Sequence, residues 1–224
     1  MSNPRQLYPL VFADVALFSV VDDRLHVLLV RRAEAPHAGQ WALPGGILKP
    51  DVDKDLHDTA QRVMRGKLAV DVPYLEEVCT ASGPHRDERG WSISVLYLAL
   101  LPMDQVHVAV GNKIDALKWA DPFAADTSLA FDHSELLRKA MDRLRTKVER
   151  HALPLHMLPQ KFTLSQLQRI CEIVLGRDLD KSVFRRRLKE LHAQNLVEVN
   201  GEMARGVQRP AQLWRAADGF KFID

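Results

Sequence analysis

Gly39-Gln40-Trp41-Ala42-Leu43-Pro44-Gly45-Gly46 decides the reading of this chain, taken with Arg62-Val63-Met64-Arg65-Gly66-Lys67-Leu68-Ala69-Val70 downstream. The first stretch leads from a short strand, Trp41 to Leu43, into a glycine turn. The second belongs to a helix, because Leu56, Ala60, Val63 and Met64 recur at helical spacing. Gly66 inside that helix costs about 1 kcal/mol relative to alanine. A hard divalent cation needs several oxygen ligands in one place. The stretch from Arg62 to Val70 has none to give and offers valine, glycine and lysine instead.

Around this stretch the chain alternates strands and helices. Phe12–Val20 and Leu25–Arg31 are β-rich runs separated by Asp22-Asp23, which reads as a hairpin. A loop from Ala33 to Gln40 follows. Leu75–Ala81 and Ser92–Leu101 are further strands around a charged loop, Gly83–Gly90, and Asp115–Trp119 reads as an edge strand. Three helix starts carry local signals. Asp132 with Glu135 reads as a capping box with Phe131 and Leu136 as hydrophobic staple, and Thr163 with Gln166 repeats it with Phe162 and Leu167. Asp180 caps a third helix, with Leu179 and Phe184 at staple spacing. The first of these helices carries Leu136, Leu137, Ala140, Met141, Leu144 and Val148 and should run to about His151; Pro154 and Pro159 then punctuate a domain boundary.

Beyond the boundary, the helix Leu164–Leu175 ends at Gly176, and the next begins four residues later at Asp180. Two helices joined by a short glycine-containing turn give the helix-turn-helix signal. A strand at Leu196–Val199, a turn region from Asn200 to Gly206 and a return strand at Ala211–Arg215 complete the order of a winged helix. In the second helix Phe184, Leu188 and Leu191 define the buried stripe. Ser182, Arg186 and Lys189 then lie opposite it, with Arg185 on its shoulder, while Arg187 snorkels or pairs locally. Thr163 and Lys181, at the helix starts, complete the DNA-facing set on the helices. Arg205, Gln208 and Arg209 sit on the hairpin, where a wing meets phosphates or a minor groove.

Charge agrees with this division. The net charge of +2 combines a segment from Ala152 onward with 12 Lys+Arg and 8 Asp+Glu, hence +4, and a remainder of 19 against 21, hence −2. A basic terminal segment on a mildly acidic body fits a polyanion partner. No run approaches the ~20 apolar residues of a membrane span. Met1–Leu10 lacks the basic region and apolar run of a secretory signal. Cys79 and Cys171 lie far apart in apolar patterns and read as free thiols in a reducing cytoplasm. No paired Cys/His spacing suggests zinc.

The Leu43-Pro44-Gly45-Gly46 turn resembles the start of a Nudix box, the strand-loop-helix that holds metal on a diphosphate with glutamates. Aligned on Arg62, the glutamate positions of the box fall on Val63, Gly66 and Lys67, and its glycine on Ala69. The upstream glutamate falls on Lys54 counted from Arg62, or on Val52 counted from Gly46, so the loop is about two residues long in excess. The whole chain resembles the Nudix-related transcriptional regulators, the NrtR family. Leu129-Ala130-Phe131-Asp132-His133 and Leu158-Pro159-Gln160-Lys161-Phe162-Thr163-Leu164 carry the match besides Gly39–Gly46. So do Leu179-Asp180-Lys181-Ser182-Val183-Phe184-Arg185-Arg186-Arg187 and Arg209-Pro210-Ala211-Gln212-Leu213-Trp214-Arg215.

The resemblance implies an α+β chain: a Nudix-like α/β/α sandwich with a mixed sheet at 1–152, its degenerate box at 46–70, and a winged helix-turn-helix domain at 153–224. It implies a cytoplasmic homodimeric repressor on a palindromic double-stranded operator, with no membrane partner. The sensor would take ADP-ribose or a related NAD metabolite, and the regulated genes would serve NAD metabolism; some relatives regulate sugar use instead. No cofactor, no metal and no catalytic residue is expected. The diphosphate would meet Arg31, Arg32, Arg86, Arg89 and Lys67, the last at a former ligand position, and an adenine would stack on Trp41, Trp91 or Phe131. The rival is a residual nucleoside-diphosphate hydrolase recruiting metal through Asp51, Asp53, Asp55 or Asp58; these read instead as solvated charges near a helix N-terminus. Asp132 and His133 read as a helix cap and first helical residue rather than an acid-base pair.

Overall fold

The strand β1, Leu10–Val21, organises the larger unit because its side chains alternate between two apolar faces. The computed structural model describes residues 8–69, 72–105, 114–123, 128–150, 152–204 and 210–222, without the side chains of 67, 68, 114, 200 and 201. Ala13, Val15 and Leu17 pack on Ala60 and Met64 of helix α1, Leu56–Leu68. Ala16 and Phe18 face the other way, onto Leu136, Leu137, Ala140 and Leu144 of helix α2, His133–Glu149. One sheet between two helices is the α/β/α sandwich.

The sheet is mixed. β1 turns at Asp22-Asp23 into β2, Arg24–Arg32, and both turn residues take positive φ, 47° and 58°, as a tight two-residue hairpin demands. β6, Ser92–Leu100, lies parallel to β1, and β5, Tyr74–Gly83, closes that side antiparallel to β6. β3, Trp41–Ala42, and β7, Ile114–Ala120, both pair with β2. Gly45–Ile47, expected as loop, is a short strand β4 on β1. Both glycines are needed there. A Cβ on Gly45 would fall 1.8 Å from the Asp14 carboxylate, and one on Gly46 would fall 2.7 Å from the Val63 side chain.

In the smaller unit, α3 spans Leu164–Leu175 and α4 spans Lys181–Leu191. The predicted caps form: Thr163 and Gln166 make a full capping box, and Asp180 accepts from Val183 N. Gly176 ends α3 at φ 69°. β8, Leu196–Ala204, and β9, Ala211–Ala216, form the hairpin, and Phe162 adds a single bridge to Trp214. The strand β8 is longer than the sequence suggests. The buried stripe of α4 stops at Leu188; Leu191, expected inside, is 51% exposed because it is the helix's last residue. Arg187 lines the cleft between α4 and the end of α2.

One apolar core runs through both units, from Leu136 and Val148 on α2 to Leu167 on α3, Phe184 on α4 and Phe222 near the chain end. Phe222 lies against the Tyr74 ring and under the Lys147 ammonium. Arg145 on α2 donates to Val174 O on α3 at 3.3 Å. α2 is thus the common wall of the sheet and of the helical unit.

Candidate effector pocket and DNA-facing surface

The glycine turn, the end of β2, the 84–91 loop and the start of α2 meet at one end of the sheet. Phe131 lies at their centre with φ 57°, a left-handed conformation that is strained for a residue with a Cβ. The Arg32 guanidinium stands 4.8 Å and that of Arg89 5.9 Å from the centre of its ring, and His37 meets it edge-on at 4.5 Å. Arg89 also lies 5.0 Å from the Phe12 ring. Bonds fix these arginines: Arg32 Nε donates to Pro36 O at 2.7 Å, and Arg89 holds Asp87 at 2.9 and 2.6 Å. Arg86 is paired with Asp132 at 2.9 and 2.8 Å. Burial, and then the charge of Arg89, lower the pKa of Arg32, as expected where two guanidiniums share one partly buried corner.

Asp132 corrects the expected capping box. It is the N-cap by position, but its carboxylate makes no cap bond and goes to Arg86, while Glu135 pairs with Lys139. A bidentate guanidinium is a stronger partner than a backbone amide. The staple fails as well, since Phe131 turns toward the arginines and Leu136 into the core.

His133 and Asp14 complete the corner. Leu43 N donates to His133 Nδ1 at 3.0 Å, so Nδ1 is the bare nitrogen and the ring proton lies on Nε2, 3.6 Å from Asp14. Burial lowers the His133 pKa and the nearby Asp14 carboxylate only partly opposes this. Ser94 Oγ donates to Asp14. The glycine turn is therefore tied directly to the first residue of α2. Neither Asp14, Phe12 nor His133 was singled out as a pocket residue; a lone acid inside the apolar run Val11–Leu17 was the available signal.

Of the other expected pocket residues, Trp41 borders the corner through its backbone, its O accepting from Ala130 N at 2.8 Å. Arg31 pairs with Asp115 on β7 at 3.8 Å, and Trp41 lies under Lys118 at 4.2 Å, both along the β2–β3–β7 side. Trp91 is 47% exposed. Lys67 is on α1, with its side chain outside the described residues.

The metal-binding face does not fit a divalent cation. Val63 is buried against Gly46, Gly66 has no side chain, and Lys67 is a cation. Asp53 also departs from the solvated charge expected. It is buried and holds Arg62 in two 2.6 Å bonds, while Thr59 Oγ1 and Lys49 N donate to it. The Arg62 bonds push its pKa well below the carboxylate range. Asp53 thus lies between Val52 and Lys54, the two positions counted for the upstream glutamate. Asp55 caps α1, and Asp58 accepts from Lys54 N. Asp55 and His57, exposed, and Asp58, half-buried, form a trio whose ligand atoms lie within 4.8 Å of one another, at the helix start and not on its former metal face.

On α4, Lys181, Ser182, Arg185, Arg186 and Lys189 are all exposed. Among the described residues none of the four cations makes an ion pair. Ser182 Oγ donates to Asp180, and the Thr163 hydroxyl is taken by its cap. Arg205, Gln208 and Arg209 lie outside the described residues.

These features define a Nudix scaffold carrying a winged-helix DNA-binding unit. Family models agree: residues 12–142 match the NUDIX domain and residues 154–216 the NrtR DNA-binding winged helix domain. The ADPR responsive transcriptional repressor NtrR of Acinetobacter baylyi is 40% identical over 210 residues, 93% of this chain and 82% of that protein. Shewanella oneidensis NrtR, crystallised with a 27mer DNA, superposes with a TM-score of 0.81 at 35% identity, covering 92% of this chain and 93% of that one. The NUDIX domain of the same protein, crystallised with ADP ribose, is 38% identical, with a TM-score of 0.55 over 61% of this chain and 89% of that one. The chain belongs to the NrtR family and is a DNA-binding transcriptional repressor with a Nudix sensor domain.

Proposed function

We propose that this repressor binds a palindromic operator through α4 and its wing, and leaves it when ADP-ribose or a close NAD-derived nucleotide fills the pocket around Phe131. The observation that carries the reading is the contrast between the two candidate sites. Arg32 and Arg89 converge on one aromatic ring, a setting for a diphosphate and a base, while α4 presents Lys181, Arg185, Arg186 and Lys189 to solvent. The relatives crystallised with ADP ribose and with DNA support both halves.

On this reading residues 1–152 sense and residues 153–224 bind DNA. Two copies act together in the cytoplasm, because a palindrome needs two recognition helices related by a two-fold axis. The regulated genes serve NAD metabolism. The protein does not hydrolyse its effector, since Val63, Gly66 and Lys67 stand where the box needs carboxylates. ADP-ribose binds without metal, and Arg31, Trp41, Lys67 and Trp91 contribute at most to the pocket's edges.

The test joins three measurements on the full chain. Calorimetry in EDTA should show ADP-ribose binding, a shift assay on a selected duplex should show release by the nucleotide, and ADP-ribose with magnesium or manganese should survive incubation. Metal-dependent turnover, abolished by substituting Asp55 and Asp58, would establish the hydrolase in place of this reading.

A further inference from the structure

Phe131, Asp132 and His133 are consecutive, and each contacts a different segment of the chain. Phe131 takes Arg32, Arg89 and His37; Asp132 takes Arg86; His133 takes Leu43 of the glycine turn. α2 begins at the third of them, and its far end shares its core with α3 and α4. The Arg86–Asp132 side chains are 9% and 24% exposed, so the pair is partly withdrawn from water. Arg86 spends two nitrogens on Asp132 and a third on Ser92, at 3.3 Å. A diphosphate and a carboxylate are rival acceptors for the same bidentate fork.

We propose that the Arg86–Asp132 pair is the switch contact of this repressor, a claim that rests on the effector reading above. A bound diphosphate draws Arg86 away from Asp132. The strained turn at Phe131 then loses one of its three fastenings, and the first turn of α2 shifts against the glycine turn. Because α2 forms a common wall with α3, the shift alters how α3 and α4 are presented to DNA. The closed pair belongs to the operator-binding form, and opening it favours the nucleotide-bound form. Asp132 is a positioning residue here, acting through Arg86.

The test uses the full chain, ADP-ribose and a duplex selected by the wild-type protein from a random pool. Nucleotide affinity is read by calorimetry, and operator affinity by titration with and without nucleotide. Wild type should lose roughly 5- to 150-fold in operator affinity with nucleotide. Asp132→Asn keeps size and removes charge. It should bind nucleotide more tightly, bind operator more weakly without nucleotide, and show a ratio below about twofold. Asp132→Glu should restore the ratio. Arg86→Lys should lose the ratio and also weaken the nucleotide, the opposite sign from Asp132→Asn, which mere structural damage would not produce. Arg86→Lys decides the matter alone if the asparagine variant does not fold. A full wild-type ratio in Asp132→Asn or Arg86→Lys would overturn the switch and leave the effector reading standing. A wild-type protein that binds nucleotide without losing operator affinity would overturn the effector reading itself.

Discussion

Arginines are used in opposite ways in the sensor and on helix α4, although Arg169 and Arg215 of the smaller unit also pair with carboxylates. In the sensor, Arg62, Arg86, Arg89 and Arg143 each face a carboxylate: Asp53, Asp132, Asp87 and Glu76. On α4, Arg185 and Arg186 project into solvent and form no ion pair among the described residues. A guanidinium paired with a buried acid fixes geometry and is costly to orphan. One left open on a helix face is a contact for phosphates or base edges. Basic composition alone does not separate these uses; partner and burial do.

The largest effect should come from breaking a sensor pair. Arg62→Ala leaves the Asp53 carboxylate, 1% exposed, without its fork, and should destabilise the fold by about 3 kcal/mol in urea titration. Because the Asp53 pKa is depressed, the pair contributes stability above the ordinary carboxylate range. That contribution is lost as pH falls below it. Wild type should therefore lose more stability on acidification than Arg62→Ala. Equal acid profiles would place the pair with the exposed arginines.

Arg186→Ala should show the converse. Operator binding should weaken by about 1–3 kcal/mol, with relaxed sequence preference, while the melting temperature stays put. Arg185→Ala should lower the slope of log affinity against log salt by about one. A melting shift in either variant would mean that these arginines are structural too.

Three smaller effects sharpen the local account. Thr163→Ala removes the capping box of α3 and should cost about 1 kcal/mol of stability. Ala69→Gly should gain about 0.5 kcal/mol. Ala69 ends α1 at φ 53°, and the relief of a left-handed alanine exceeds the added freedom of the unfolded chain. This φ also explains why the box places glycine there. His133 supplies the finest probe. Its folded pKa is lowered, so stability is intact above the ordinary histidine pKa of about 6.5 and falls as pH drops below it. His133→Gln should flatten that part of the profile.

The local signals were legible in the sequence. The hairpin at Asp22-Asp23, the Thr163 and Asp180 caps, the Gly176 stop and the sheet-forming strands all follow from neighbours a few residues apart. The corner around Phe131 was legible only in part. Arg32, Arg86, Arg89 and Phe131 do meet, but the partners that order them are distant: Arg86 lies 46 residues from Asp132, and Leu43 lies 90 from His133. Local spacing offered Asp132 a capping role and could not show the guanidinium that outcompetes it. Asp53 was misread for the same reason, since its burial depends on Arg62 folding back across the loop.

The central claim is that nucleotide in the sensor pocket and operator on α4 are energetically coupled without metal. Operator titration of the full chain in EDTA, with and without saturating ADP-ribose, tests it most directly. The account predicts a loss of operator affinity of about 1–3 kcal/mol. Identical affinities under saturation, or a loss seen only when magnesium is restored, would contradict it.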